Sequence, residues 1–321
     1  MNKLFFPVCL FLFVHTSSVS GQTMMGPYWL YDNQYLTNKY ILNPAFAGKQ
    51  NDPKVFAGTQ RMELQLKDAP SVHLAGAYGR LGAGRKHANP YRSDALMARN
   101  AVGGLLFADN NGPFQAIGIK LDYVYTIPLN KKSTTLSFGL GGMLFSKRLR
   151  LDKYLNEAPD DPLIAASVGN HVMVPDFNAG ALLSHRQWYV GISASQLLEN
   201  SYSFSKFNYT PARVYRNFYL LTGYRFIRDG FELEPSIAAG RNTAPETRSN
   251  NGNFIDVNVE FFLKPIVFTV SYRIDGYIAT ALLYRERKLE LGIRAELFPT
   301  NKSDAHFSGV GLTASYTFLK N

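Results

Sequence analysis

Leu289-Glu290-Leu291-Gly292-Ile293-Arg294-Ala295-Glu296-Leu297 alternates apolar residues with polar residues or glycine along its whole length. A helix would scatter these side chains around its circumference. An extended chain turns successive side chains to opposite faces, so the segment predicts a strand with one greasy and one charged face. The pattern recurs. Met62, Leu64 and Leu66 alternate with Arg61, Glu63 and Gln65, and Ile117, Ile119, Leu121, Tyr123 and Tyr125 enclose Lys120 and Asp122. Ile255, Val257, Val259 and Phe261 alternate with Asp256, Asn258 and Glu260, and Phe268, Val270 and Tyr272 with Thr269, Ser271 and Arg273.

Water-soluble sandwiches alternate too, so strand length and connection length must decide. Strands are predicted at 54–66, 71–81, 100–108, 115–127, 134–147, 176–183, 187–197, 214–227, 231–241, 253–263, 266–274, 277–284, 288–297 and 307–319. Most have the ~9 to 11 residues that a tilted strand needs to cross a bilayer. Ser184–Arg186, Arg228–Gly230, Lys264-Pro265 and Arg285–Arg287 are very short connections, while Arg148–Pro175, Leu198–Arg213, Asn242–Gly252 and Phe298–His306 are long and polar. Bacterial barrels sort their connections this way, with tight periplasmic turns and longer outer loops. The reading is an all-β, transmembrane antiparallel β-barrel of about 14 strands with a short N-terminal segment before it. Gly82–Arg99 stands apart: it is long and basic, with Arg85, Lys86, Arg92 and Arg99, and strand parity does not assign it to a side.

Composition agrees. The chain has 19 Tyr and 23 Phe but 2 Trp, with 26 Gly, a mixture suited to a pleated surface with aromatic girdles. Residues 1–21 read as an export signal, with Lys3, the apolar run Leu4–Val14 and the small-residue cleavage site Val19-Ser20-Gly21. Cys9 lies in that signal and would be removed with it. Residues 22–53 lack alternation and are expected to form a plug, a periplasmic lid or a partner-binding arm; residues 54–321 form the barrel. The net charge of +10 is dispersed on an exported chain, which argues against nucleic acid. Anionic lipid headgroups, lipopolysaccharide or an acidic partner are the expected counterparts.

Catalytic chemistry has little support. A hydrolase needs a nucleophile within hydrogen-bond reach of a base, and His73, His87, His171, His185 and His306 suggest no such pairing by position. Glu157, Asp160 and Asp161 share one outer loop but lack EF-hand spacing, so a solvated acidic loop is expected rather than a cation site. No catalytic residue, cofactor or metal ligand is assigned. Twelve charges are expected to face the lumen: Arg61, Glu63, Lys120, Asp122, Glu232, Glu234, Asp256, Glu260, Arg273, Glu290, Arg294 and Glu296. Mutual pairing that fills the barrel is the favoured reading, because unpaired buried charge is costly; a solute-selective lining is the alternative.

Asn33-Gln34-Tyr35, followed by Ile41-Leu42-Asn43-Pro44-Ala45-Phe46-Ala47-Gly48, resembles the amino-terminal signature of the PorP/SprF family. Leu136–Gly142 resembles that family's central Gly-rich strand, Pro175–Gly180 with Tyr189–Ser193 its next hairpin, and Val270–Arg273 a late strand. Gly82–Arg99 departs from the shorter link usual there. The resemblance implies a non-enzymatic component of the Bacteroidota type IX secretion system in the outer membrane. It also implies partners among translocon and periplasmic ring or motor proteins, and cargo with type B C-terminal signals, gliding adhesins included. Gln34, Tyr35 and Asn43–Gly48 would then be the plug or partner contact. A diffusion channel or hydrophobic-solute transporter is the competing function, and an outer-membrane lipase a third.

Overall fold

The computed structural model describes residues 33–49, 52–62, 64, 69–81, 99–129, 134–150, 171–203, 212–228, 231–244, 253–274, 276–298 and 307–318. Fourteen antiparallel strands form one wall. They are β1 (Lys54–Arg61), β2 (Ser71–Arg80), β3 (Asn100–Asn111), β4 (Phe114–Pro128), β5 (Thr135–Leu149), β6 (His171–Ser184) and β7 (Trp188–Ser195). The second half comprises β8 (Asn217–Tyr224), β9 (Phe231–Asn242), β10 (Phe254–Leu263), β11 (Ile266–Arg273), β12 (Ile278–Glu286), β13 (Leu289–Phe298) and β14 (Phe307–Thr317). A short continuation, Phe226–Arg228, extends β8 past Arg225. Each strand pairs with its sequence neighbours, and β1 pairs with β14, so the sheet closes on itself without a free edge. Closure satisfies the backbone groups that lipid could not.

The register reveals the tilt. Arg61 of β1 is level with Ser71, Asn110, Gln115, Arg148 and His171 across β2 to β6, yet its partner on β14 is Val310. Followed around the whole wall, the pairing returns to β1 displaced by one residue for each strand passed. Such a stagger tilts strands by roughly 35 to 45°. With that stagger applied, the outward Tyr125, Tyr224, Phe261, Tyr284 and Tyr316 fall at one level near the short-turn end. Aromatic side chains at a single depth are the mark of a membrane interface. Between that level and the opposite rim the outward face is apolar, with Leu121, Leu140, Ile192, Leu282, Ile293 and Leu312 exposed. Exposure of such a band in water would be costly, whereas in lipid it is solvated.

Lys264-Pro265 connects strands at the short-turn end, as the sequence predicts, and β12 and β13 meet there through Arg287-Lys288 rather than the expected Arg285–Arg287. The connection from Leu81 to Arg99 falls at this same end, because it joins β2 to β3; residues 82–98 lie outside the described residues. The opposite end is less uniform than predicted, since β3 and β4 meet through the two-residue turn Gly112-Pro113. Gly112 has a φ of +56°, a conformation that glycine adopts without steric cost.

The first strand corrects one expectation. β1 ends at Arg61, and its inward side chains are Lys54, Phe56 and Gln60, so Arg61 points outward while Met62 is buried. The contrast reverses because Arg61 stands at the edge of the apolar band, where a guanidinium reaches headgroups and carries little penalty. Glu63 lies outside the described residues, as do His87, Glu157, Asp160, Asp161, His306 and residues 1–21.

Candidate functional site: the lumen and its N-terminal insert

Residues 33–49 fold as three short 3-10 turns, Asn33–Leu36, Lys39–Ile41 and Pro44–Gly48, and they lie inside the wall. The last turn is built locally: Asn43 caps it, its side-chain oxygen accepting from the Ala45 N–H at 2.9 Å, and Pro44 supplies a preset φ at the first position. The remaining side-chain amide of Asn43 donates to the Ala181 and Ile192 carbonyls at 3.2 and 3.1 Å, which ties the turn to β6 and β7. Asn43 through Gly48 are all buried.

Glycines in the wall make room for this turn. A Cβ at Gly139 would stand 2.7 Å from the Ala45 nitrogen, and one at Gly180 would collide with the Asn43 side chain. The Gly-rich stretch of β5 contributes to this seat: Phe138, Leu140 and Leu144 face outward, while Gly139 meets Pro44 and Ala45 of the insert and Gly141 leaves room for the Asp122 and Asn178 side chains of the wall. Phe46 packs edge-on against Tyr189 at 5.5 Å between centroids.

The insert also reaches the opposite wall. The Tyr35 hydroxyl donates to Asp256 at 2.7 Å, and Arg273 grips the same carboxylate through two bonds of 2.7 and 2.9 Å. Tyr40 donates to Asp122, which also accepts from Asn178 at 2.7 Å and pairs with Lys120 at 3.3 Å. Lys39 bridges Glu260 at 2.6 Å and Glu234 at 3.4 Å. Burial, then the adjacent carboxylate, raises the Tyr35 and Tyr40 phenols above their ordinary range, so both remain donors. For Lys39 burial alone would favour the neutral amine, but Glu260 and Glu234 outweigh it and hold the ammonium charged. Gln34 accepts from Arg294 at 2.8 Å and donates to Gln60, which donates in turn to Glu296 at 2.6 Å. Arg80 donates to the Gly48 carbonyl, closing the far end of the insert.

The expected lumen charges thus divide. Lys120, Asp122, Glu234, Asp256, Glu260, Arg273, Arg294 and Glu296 touch the insert directly or through one neighbour. Glu290 pairs with Lys54 at 3.3 Å and Arg285 at 2.6 Å, apart from the insert. Glu232 is partly exposed, 3.9 Å from Arg225, near the short-turn end. Sequence reasoning missed Lys39, Tyr40, Lys54, Gln60, Arg80 and Asn178. Gln60 and Lys54 were legible in principle, since they alternate with Val55, Ala57 and Thr59; Lys39 and Tyr40 lie in a non-periodic segment and carried no signal.

At the long-loop end the chain between β7 and β8 folds inward. It carries a small ladder, Ser201–Tyr202 with Ala212–Arg213, and Tyr202 and Val214 are buried. Lys147 donates to the Tyr202 hydroxyl at 2.6 Å. Among the described residues no three His, Cys, Asp or Glu side chains cluster as metal ligands would. His73 shares a 2.8 Å contact with Thr59 on the outward face, His171 is exposed on the rim, and His185 stacks on Trp188.

Among solved structures the fold is similar to the Acinetobacter baumannii outer membrane protein Omp33, with 10% identity over 84% of this chain and 100% of that one and a TM-score of 0.44. It is similar also to the P. putida toluene transporter TodX, with 8% identity, coverage of 87% and 93%, and a TM-score of 0.49. The KdgM porin matches at 7% identity, with coverage of 83% and 99% and a TM-score of 0.38. These likenesses are too distant to speak to function. No curated protein matches the sequence. The family model described as type IX secretion system membrane protein PorP/SprF matches residues 27–310, which takes in the signature segment, the glycine seat and most of the wall. The chain belongs to the PorP/SprF family of type IX secretion system membrane proteins.

Proposed function

We propose that this chain is a non-enzymatic outer-membrane scaffold of the type IX machinery, whose barrel is plugged by its own N-terminal insert. Its role would be to support secretion or surface attachment of cargo proteins with type B C-terminal signals, together with translocon and periplasmic ring or motor components. Family membership supports the assignment to the machinery. The observation that supports the scaffold reading is the insert inside the wall: most residues from Gln34 to Gly48 are buried, and they are bonded to both sides of the wall. A solute channel needs a wet path, whereas paired charge and packed aromatics favour a rigid body that presents surfaces to partners. The short-turn end, which also carries the start of β1 and the end of β14, would face the periplasm, and the long loops the cell surface. Surrounding lipid and lipopolysaccharide would cover the apolar band.

Deletion of the gene, followed by a census of secreted and surface-attached proteins, tests the role. The expected result is selective loss of one or a few type B cargoes, restored by the intact chain. Unchanged export of every type IX cargo would overturn it.

A further inference from the structure

Charge on β1 to β6 is sorted by face. Every carboxylate on these strands among the described residues points inward: Asp109, Asp122 and Asp176. The outward face near the long-loop end instead carries Arg61, Ser71, Asn110, Gln115, Arg148 and His171 in one cross-strand row. Arg61, Arg148 and His171 are exposed. Neighbours within the row are already aligned, since Gln115 donates to Asn110 at 3.0 Å and Asn110 to Ser71 at 3.4 Å.

Position decides what this row meets. Two residues nearer the membrane centre on the same strands stand the outward Ile117 and Met173, and two further on Leu106, Ile119 and Leu144, all apolar and exposed. The row is therefore continuous with the lipid-facing surface. Because the wall is staggered, a row perpendicular to the strands climbs from β1 to β6. It begins at the edge of the apolar band and ends on the order of 10 Å above it. At the corresponding edge the strands β7 to β14 present Ala194, Phe218, Ile255, Tyr272, Leu297 and Val310, with Arg241 the one charge among the described outward strand residues at that level; the exposed Arg213 and half-buried Arg216 of the β7–β8 connection are paired with Glu199.

We propose that this arc is a binding site for lipopolysaccharide, with Arg61 on a lipid A phosphate, Arg148 and His171 on the phosphates and sugars above it, and the acyl chains against Leu106, Ile119 and Leu144. Guanidinium groups recognise phosphate oxygens with two parallel hydrogen bonds, and amide and hydroxyl groups suit the sugar hydroxyls between them. The site rests on the outer-membrane placement proposed above, with the long loops outward; cargo export tests the secretion role separately, so the two readings fail independently.

The test titrates the purified full chain, in detergent, with bisphosphorylated lipid A and with its dephosphorylated form. The same titrations use the Arg61→Gln/Arg148→Gln double variant and, as control, Arg241→Gln on the opposite rim. Expected is a loss of affinity of about tenfold or more on removing either the phosphates or the two arginines, with Arg241→Gln close to the parent. Equal binding of the dephosphorylated lipid overturns the proposal, as does an equal loss in Arg241→Gln, which would mark diffuse attraction. A photo-crosslinker at position 148 in living cells should trap lipopolysaccharide; trapping a protein instead would reassign the arc to a protein partner and overturn the proposal. A heat-induced shift in gel mobility identical to the parent's shows that each variant is folded.

Discussion

Tyr35, Asp256 and Arg273 show how single residues hold the insert. Asp256 is buried with two bonds from Arg273 and one from Tyr35, so removing the carboxylate strands a buried guanidinium, whereas removing the hydroxyl leaves the ion pair intact. Asp256→Ala should cost about 3–5 kcal/mol in urea unfolding from detergent micelles, and Tyr35→Phe about 1–3 kcal/mol. A Tyr35→Phe loss as large as that of Asp256→Ala would refute this division. Gly180→Val tests the seat: the added side chain meets Asn43, with a cost of about 1–3 kcal/mol from overpacking. Limited proteolysis should then cleave the insert while the barrel stays intact. At this scale the sequence was legible where polar residues interrupt an apolar run, as at Asp256, Glu260, Arg294 and Glu296. It misled at Arg61, because beside the membrane edge an outward residue no longer has to be apolar. Lys39 and Tyr40 could not be read, since no period marks the face of a 3-10 turn.

Strands were legible because lipid on one side and a polar lumen on the other impose a period of two; their ends were less so, because the alternation fades where both faces meet water or headgroups. β1 stops at Arg61 rather than Leu66, and β6 begins at His171 rather than Asp176. The register supplies what alternation lacks, namely depth. Leu140 of β5 stands near the middle of the apolar band and Leu297 of β13 at its long-loop edge. Leu140→Arg should therefore destabilise the barrel in lipid vesicles by about 2–4 kcal/mol and Leu297→Arg by about 0–1 kcal/mol. Equal penalties would mean that the stagger, and with it the level of the aromatic ring, is wrongly assigned. The capping of Pro44–Gly48 by Asn43 belongs to this scale too: Asn43→Ala removes one cap and two anchors, and faster proteolysis of the insert is the expected readout.

Over the whole molecule, a closed wall and an internal segment solve one problem together. A barrel of this size encloses more space than its inward side chains fill, and the insert brings Tyr35, Tyr40, Phe46 and a bridging lysine into it. The sequence announced the barrel and offered a plug, a lid or an arm for the segment before it. That residues 33–49 would lie inside the wall was illegible, because their place depends on glycines of β5, β6 and β7 that meet Asn43 and Pro44 only once the wall has closed. The most direct measurement of a filled lumen is ionic current across planar bilayers containing the intact chain, compared with a variant lacking residues 33–49. The intact protein should be silent and the shortened one should conduct steadily; equal, steady conductance from both would contradict the account.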